Sequence, residues 1–151
     1  TDETRPLAIK GSEGLLTNHA KCCRPIPGDP IVGHISKGRG MVIHHETCNN
    51  VSEIRDNPEK CVFLTWDDDL NGEFYTALKI LVEAETGIIA NIASAVSEAD
   101  AAIDRINREE RDAKTSVIVL EVGVRDRQHL ASVVRHIRRI KSVTKISRIR
   151  A

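Results

Sequence analysis

The chain has 151 residues, which is enough for one medium-sized domain or two small ones. Lys and Arg balance Asp and Glu at 22 each, so bulk charge does not indicate a nucleic-acid or membrane partner. Aromatic residues make up only 3% of the chain, which predicts an aliphatic core.

The cysteine content and the chain start set further expectations. Four cysteines without an export signal favour a reducing, cytoplasmic compartment, where thiols stay free or bind metal. No apolar run is long enough to cross a bilayer, so we expect no membrane association. The chain begins at Thr1 and its only methionine is Met41, so we expect a piece of a longer protein.

The first part of the chain is predicted to form short strands around a rigid, proline-rich loop. Short apolar runs bounded by turn residues predict strands at residues 6–10, 15–20, 31–35, 41–44 and 61–66. We expect residues 31–35 and 41–44 to pair as a hairpin. Thr47 is predicted to cap a short helix that extends through Ile54. We assign this first domain to residues 1–68.

Apolar residues in the second part follow the strand and helix periods in turn. They predict strands at residues 74–82, 102–108, 118–124 and 143–149, and helices at residues 89–99 and, after the cap Asp126, 130–140. The strand at 102–108 is weakly marked, because Ile103 and Ile106 do not share a face in a regular strand. The order βαββαβ predicts a ferredoxin-like domain over residues 72–151. The fold class is therefore α+β.

Thiols and imidazoles gather in two segments of the first part. Structural zinc takes four thiolate or imidazole ligands, usually as two pairs. One pair is Cys22 and Cys23, and the other is His44 and Cys48. Neighbouring side chains in an extended strand point to opposite faces, so both thiols reach one ion only if the backbone turns there.

Other interpretations of these residues stay open. His19 and His45 are competing ligands, and Cys61 lies in an apolar strand, where a core position is expected. The cysteines could instead be free buried thiols that pack as small apolar residues. In a further alternative, oxidation of Cys22 and Cys23 alters the activity of the parent protein.

The motifs AKCCRPIPGDPI (residues 20–31), KGRG (37–40) and IHHETC (43–48) resemble the RelA/SpoT family. These long bifunctional enzymes make and hydrolyse guanosine tetra- and pentaphosphate in the bacterial stringent response. The chain resembles their C-terminal regulatory end, a conserved-cysteine or zinc-finger domain followed by an ACT domain, and the SpoT branch is the most similar. The ACT part is marked by topology and by TGIIANI at residues 86–92.

The resemblance implies a division of labour within a longer protein. The synthetase and hydrolase sites of the family lie in an N-terminal half, so this chain is expected to have no catalysis of its own. Its parent is expected to be a (p)ppGpp 3'-pyrophosphohydrolase and GTP pyrophosphokinase. The family's metal-type positions coincide with Cys22, Cys23, His44 and Cys48, which implies structural zinc. ACT domains commonly form homodimers and often bind amino acids.

The resemblance also implies a small-ligand site where the first ACT strand meets the first helix. The expected ligand-binding residues are Glu85, Thr86, Gly87, Ile88, Asn91 and, on the facing strand, Asn107. Amino-acid-binding loops of this kind often have the sequence Asp-Arg-x-Gly, whereas this chain has Ala84, Glu85, Thr86 and Gly87. In the alternative interpretation Gly87 only makes the strand-to-helix turn.

Three functions follow from these observations. The first is a non-catalytic regulatory module that controls the catalytic half through a ligand, a partner protein or dimerisation. The second is a module that docks on ribosomal or transfer RNA, because nine Lys and Arg stand against one acid from residue 125 onward. Its expected contacts are Lys37, Arg39, Arg135 and Arg139. The third is an amino-acid sensor.

Overall fold

A computed structural model describes residues 9–10, 17–36, 40–51, 59, 61–66, 72–110 and 112–149 of the chain. The chain divides into two compact units, with the change between Gly72 and Glu73. The described residues of the first unit form six short strands: β1 (Ile9–Lys10), β2 (Thr17–His19), β3 (Ile31–Ser36), β4 (Gly40–His45), β5 (Cys61–Phe63) and β6 (Thr65–Trp66).

The first unit is built on a mixed four-stranded sheet with the strand order β2-β4-β3-β5. β3 and β4 form the predicted antiparallel hairpin, whose turn at residues 37–39 lies outside the described residues. β2 runs parallel to β4, and β1 pairs antiparallel with β6 in a separate two-stranded sheet. The predicted strand at residues 61–66 is therefore divided, because Leu64 separates β5 from β6.

Both faces of this sheet are covered, because β4 alternates between two apolar clusters. One cluster contains Ala20, Cys23, Val32, Cys48 and Val51, with Cys22, Val42 and Cys61 packed against it. The other contains Ile31, Met41, Ile43 and Leu64, with Val62 and Trp66. The chain after β4 turns at Thr47, and its helix begins at Val51 rather than at the predicted cap. The remainder of that predicted helix lies outside the described residues.

The second unit has the predicted βαββαβ order. Its elements are β7 (Phe74–Glu83), α1 (Ile88–Glu98), β8 (Ala102–Glu110), β9 (Thr115–Val124), α2 (Arg127–Arg138) and β10 (Val143–Arg148). The strands form one antiparallel sheet in the order β10-β7-β9-β8. The α+β class and the ferredoxin-like arrangement are thus confirmed.

Both helices pack on one face of this sheet, which we call the inner face. The inner residues of the two central strands are almost fully buried: Phe74, Thr76, Leu78, Ile80 and Val82 on β7, and Ser116, Ile118, Leu120, Val122 and Val124 on β9. α1 buries Ile88, Ile92, Ala95 and Val96. α2 buries His129, Leu130, Val133 and Ile137. Within the described part of the chain, neither helix is long and apolar enough to cross a bilayer.

A bulge in β8 explains why its apolar residues looked irregular in the sequence. Ile103 pairs with Val122 and Arg105 with Glu121, so Asp104 is an extra residue between them. Ile106 then pairs with Leu120. Because of the bulge, Ile103 and Ile106 share the inner face although they are three positions apart, a spacing that would put them on opposite faces of a regular strand.

Candidate metal centre

Four predicted ligands converge on one face of the first sheet. The ligand atoms of Cys22, Cys23, His44 and Cys48 all lie within 4.8 Å of one another. The Sγ of Cys22 is 3.5 Å from the Nδ1 of His44 and 3.5 Å from the Sγ of Cys48. The Sγ of Cys23 is 3.8 Å from the same Nδ1 and 4.0 Å from the Sγ of Cys22. The cluster can therefore hold a metal ion.

Parallel pairing of β2 with β4 brings the two halves of the cluster together. The carboxyl ends of parallel strands lie at the same edge, so the residues after His19 meet the end of β4. The Ala20 N–H donates to the Ile43 carbonyl at 2.8 Å and continues this pairing. Cys22 and Cys23 are thus placed beside His44.

A tight turn solves the problem posed by two adjacent cysteines. The Arg24 N–H donates to the Ala20 carbonyl at 2.9 Å, which closes one turn of chain around Cys22 and Cys23. Arg24 completes the turn in a left-handed conformation, with φ of 44°. Because the backbone turns here instead of staying extended, the Sγ atoms of Cys22 and Cys23 lie on the same side of the chain, 4.0 Å apart.

Strand alternation distinguishes the two adjacent histidines. His44 faces the cysteine cluster, whereas His45 lies on the opposite face of β4. The Nδ1 of His45 accepts a hydrogen bond from the Thr47 N–H at 3.1 Å, and its Nε2 lies 3.8 Å from the Asp29 Oδ1. The His45 side chain therefore packs on the opposite side of the strand from the cluster. Its backbone N–H donates to the Cys23 Sγ at 3.2 Å.

The other alternative ligands lie outside the cluster. His19 pairs with Ile43 and meets the edge of the Trp66 ring, with 5.6 Å between ring centroids, on the face away from the cysteines. Cys61 is half-buried and packs against the apolar cluster beside the site. Its predicted core position agrees with this packing.

Burial disfavours charge at the centre as long as no cation is present. It raises the pKa of the Cys23 thiol, although the His45 N–H opposes the shift, and it raises the pKa of the Cys48 thiol. Burial also lowers the pKa of His44, with a smaller contribution from the nearby His34. A neutral imidazole is the form that binds metal, whereas the thiols need a cation before they ionise.

The separations fit tetrahedral zinc. With Zn–S bonds of about 2.3 Å and Zn–N bonds of about 2.0 Å, tetrahedral geometry places sulfurs about 3.8 Å apart and sulfur about 3.5 Å from nitrogen. The observed sulfur–sulfur distances are 3.5 and 4.0 Å, and the sulfur–nitrogen distances are 3.5 and 3.8 Å. All six separations lie within 4.8 Å, so shifts of about 1 Å or less would bring the four atoms to tetrahedral positions.

The predicted small-ligand residues come together only in part. Gly87 precedes α1 with φ of 81°, and a Cβ on it would meet no atom within 4 Å. Glu85, Thr86 and Asn91 are exposed nearby, while Ile88 is fully buried in the core. The left-handed backbone alone accounts for a glycine at this turn.

Asn107 was wrongly expected to face this loop. It pairs with Val119, which lies on the sheet face away from the helices, so its side chain points away from α1. The bulge at Asp104 causes this reversal. Asn107 therefore does not supply the side-chain amide that we expected beside the loop before α1.

Two of the four predicted nucleic-acid contacts lie in the described residues. Arg135 and Arg139 are exposed at the carboxyl end of α2, where cations also interact favourably with the helix dipole. Lys37 and Arg39 lie outside the described residues.

The Asp29 side chain was missed by the sequence analysis. It is buried, accepts a hydrogen bond from the Ile26 N–H at 2.9 Å and faces His45. The Trp66 indole N–H donates to the Asp29 carbonyl at 2.9 Å. The available signal was an acidic residue inside a proline-rich loop, where a turn-forming role is the ordinary interpretation.

Comparisons with known proteins agree with this division of the chain. The family model of the RelA/SpoT RIS domain matches residues 7–67, and that of an ACT domain matches residues 70–148. The chain is 42% identical over 144 residues to the bifunctional (p)ppGpp synthase/hydrolase SpoT of Escherichia coli (strain K12), covering 95% of this chain and 20% of that protein. It is 31% identical over 145 residues to a GTP pyrophosphokinase of Myxococcus xanthus, covering 95% and 19%.

The ACT domain of a GTP pyrophosphokinase from Chlorobium tepidum is a similar solved structure. Its crystal structure has a TM-score of 0.45 at 19% identity, covering 51% of this chain and 99% of that one. The present chain spans about a fifth of the length of the curated relatives it matches.

These matches define the class of protein: a RIS domain followed by an ACT domain. The chain accordingly belongs to the RelA/SpoT family. It is the C-terminal regulatory region of a protein of this family. The predicted family resemblance is confirmed.

Proposed function

We propose that this chain is a non-catalytic module that regulates hydrolysis and synthesis of guanosine tetra- and pentaphosphate by the catalytic domains of a longer, cytoplasmic protein. The observation that carries the proposal is a single alignment with SpoT that runs through both domains and covers 95% of the chain. We assign the RIS domain to residues 1–68 and the ACT domain to residues 72–151.

The metal centre supports a structural role rather than a catalytic one. We propose that Cys22, Cys23, His44 and Cys48 bind one zinc ion with all four coordination positions filled. A catalytic zinc keeps a position open for water or substrate. A closed site instead fixes the loop after β2 to the turn after β4, in a unit with a small apolar core.

Native mass spectrometry of the chain, purified under reducing conditions without chelator, tests the zinc assignment. We expect one zinc per chain, lost on substitution Cys48→Ser. Cys61→Ser is the matched control and should keep the metal, because Cys61 lies outside the cluster. A metal-free chain with four free thiols would refute the assignment.

Activity of the full-length parent protein tests the regulatory proposal. We expect Cys48→Ser to change the ratio of hydrolysis to synthesis of guanosine tetraphosphate without abolishing both, since no catalytic residue is removed. The Cys61→Ser parent should keep the ratio of the unsubstituted enzyme. Identical ratios in all three proteins, with zinc lost only from Cys48→Ser, would contradict regulation through the RIS domain.

A docking role on ribosomal or transfer RNA is a second candidate, favoured by the charge along α2. The exposed cations of this helix and the turn after it are Arg127, Arg135, Arg138, Arg139 and Lys141. Within the described part of the chain none of them has an ion-pair partner. Exposed cations in a row can bind the phosphate groups of an RNA backbone. Arg135→Ala or Arg139→Ala should therefore weaken RNA binding and reduce its dependence on salt concentration.

Lys79→Ala, on the face of the sheet away from α2, is the control for RNA binding and should leave it unchanged. No RNA binding by the unsubstituted chain at low salt would exclude this candidate.

The ACT domain gives the module two further means of control. We propose that it pairs with the ACT domain of a second copy and that the loop before α1 is open to an amino acid. The exposed Asn91 and the free space at Gly87 support the second point. Calorimetry with the twenty amino acids checks it, and no heat from any of them would remove the sensor role.

A further inference from the structure

The sheet of the ACT domain has a second face, turned away from α1 and α2, which we call the outer face. A depression of about 160 Å³ lies on it, lined by Lys79, Leu81, Val117, Lys145 and Ser147. Lys79 and Leu81 belong to β7, Val117 belongs to β9, and the other two belong to the edge strand β10. The depression therefore crosses three neighbouring strands on the β10 side of the sheet.

The strand register divides this lining into an aliphatic floor and a polar rim. Leu81 pairs with Val117 on one side and with Lys145 on the other. Val117 is 1% exposed and Leu81 is half-buried, so these two side chains form the floor. Lys79 pairs with Ser147, and both side chains are exposed. Two ammonium groups and one hydroxyl thus border an apolar surface.

A bulge in β10 puts the second cation on this face. Val143 pairs with an inner residue of β7 and Lys145 pairs with Leu81, so Thr144 is an extra residue between them. Regular alternation from Val143 would place Lys145 on the inner face. The Thr144 hydroxyl donates to the Leu81 carbonyl at 3.0 Å, which holds the bulge against β7. The bulge thereby directs the Lys145 side chain to the rim of the depression.

The two cations lie close together. Lys79 and Lys145 occupy diagonal positions on adjacent strands, and such positions are about 7–8 Å apart. Long side chains at this separation can meet, so both ammonium groups can reach one point above Leu81. Two like charges at this distance repel each other, and an anion between them would be stabilised by both.

The chain itself does not neutralise these cations within the described residues. The strands of the outer face carry three acids: Glu83, Glu109 and Glu121. None of them forms an ion pair with Lys79 or Lys145 in the part of the chain that the structure describes. Glu121 lies beside Arg105 instead, with 3.9 Å between the Arg105 Nε and the Glu121 Oε2.

We propose that this depression binds a short aliphatic carboxylate. The carboxylate accepts hydrogen bonds from the ammonium groups of Lys79 and Lys145 and from the Ser147 hydroxyl. The alkyl chain lies on the floor formed by Leu81 and Val117. The depression is well below the roughly 300–1,000 Å³ of pockets that hold drug-sized ligands, so the ligand has only a few carbon atoms.

The charges and the floor together favour this class of ligand over others. A cation would be repelled by the two lysines, and a neutral hydrocarbon would leave both ammonium groups without an anion. A multiply charged phosphate would find no donor on the floor, and it would approach Glu109, which pairs with Val117. A single negative charge with an apolar tail is complementary to both parts of the lining.

The site is on the sheet face away from α1, and no residue of the metal centre takes part. Binding here is therefore a property separate from amino-acid binding at the loop before α1. It is measured without the catalytic domains, so its failure would leave the ratio of hydrolysis to synthesis in the parent protein to be tested independently.

Titration of the whole chain with sodium pentanoate, followed through backbone amide signals in two-dimensional NMR, tests the site. Sodium chloride at equal ionic strength is the reference. We expect saturable shifts at Leu81, Val117 and Ser147, with a Kd on the order of 1 mM. Acetate lacks three methylenes that would be half-buried on the floor, so it should bind about tenfold more weakly. Equal affinities for acetate and pentanoate, or tighter binding of inorganic phosphate, would overturn the assignment.

Variants of exposed lysines show whether binding occurs in the depression. Lys79→Gln and Lys145→Gln should each weaken pentanoate binding about tenfold, because each removes a charged donor. Lys79→Arg keeps the charge and should bind within about threefold of the original chain. Lys141→Gln removes an exposed cation from the turn after α2 and should leave the Kd unchanged. Equal weakening by Lys141→Gln and Lys79→Gln, or no saturable shift at about fifty times the expected Kd, would refute the site.

Discussion

His19 shows how burial of one side chain makes stability depend on pH. It meets the Trp66 ring at the edge of the first sheet, and burial lowers its pKa from 6.5 to about 4. The unfolded chain therefore binds a proton at His19 before the folded chain does. Stability from this residue is complete above pH 6.5 and is lost as the pH falls towards 4.

We expect the first unit to lose about 3 kcal/mol at most over this range through His19. The measurement compares hydrogen-exchange free energies of β4 amides in the original chain and in His19→Gln at several pH values. Taking the difference between the two proteins removes the effect of pH on the metal ligands. If the stability of the two proteins changes with pH in the same way, His19 is not the source of the pH dependence.

The residues of the candidate metal centre could be predicted from the sequence only as far as their spacing along the chain indicates which of them can meet. The four ligands were identifiable because two short motifs each supply a pair. The choice of His44 over His45 required the register of β4, since a strand sends adjacent side chains to opposite faces. The support from Asp29 was not predictable, because its contact with His45 depends on how the proline-rich loop folds back.

The end of α1 offers a test at the scale of one element. Asp100 follows the helix in a left-handed conformation, with φ of 63°. Its N–H donates to the Ser97 carbonyl and the Ala101 N–H to the Val96 carbonyl, which is the Schellman arrangement. Glycine is favoured at this position, so Asp100→Gly should stabilise the second unit by about 0.5–1 kcal/mol.

Hydrogen exchange of β7 amides measures the effect of Asp100→Gly. Ser97→Gly is the control inside α1, where glycine should destabilise the helix by about 1 kcal/mol. Equal destabilisation by both substitutions would show that the left-handed conformation at Asp100 carries no cost.

β3 contains a second element-scale constraint, at Gly33. A Cβ there would lie 2.7 Å from the Met41 Sδ and 2.8 Å from the Leu64 Cδ1, closer than atoms can pack. Gly33→Ala should therefore destabilise the first unit by about 1–3 kcal/mol. Denaturant unfolding followed by Trp66 fluorescence reports this unit.

Met41→Ala supplies the matched control by removing the nearer of the two obstructing side chains. The double variant should be less destabilised than the sum of the two single variants. Simple additivity would indicate that Gly33→Ala acts through something other than contact with Met41.

β8 marks the limit of sequence prediction for an element. Regular alternation places Asn107 on the same face as Ile103, which is the face of the helices. The extra residue Asp104 reverses the faces of all residues after it. The irregular spacing of Ile103 and Ile106 was a sign of the bulge, but it did not identify the extra residue. β7 and β9 were predictable because their apolar residues alternate without interruption.

At the scale of the whole molecule, the two units have separate cores and should respond differently to metal removal. The first unit buries few large side chains around its cluster, whereas the second has a continuous inner face of Ile, Leu and Val. A chelator should therefore abolish hydrogen-exchange protection in β2–β5 and leave β7 and β9 protected.

Hydrogen exchange with and without chelator distinguishes the outcomes. Cys48→Ser should reproduce the chelator pattern in the absence of chelator, and Cys61→Ser should resemble the untreated chain. Retained protection in β2–β5 after metal removal would mean that packing alone holds the first unit together.

The strand order of the first sheet affects the order in which its parts fold. Cys22 and Cys48 are 26 residues apart, and they meet only after β2 has paired in parallel with β4. The β3–β4 hairpin is local and should form early, whereas β2 must close a longer loop before it docks. All four ligands are therefore assembled late in folding. The proposed zinc ion would accordingly find all four of its ligands in place only once the first sheet is complete.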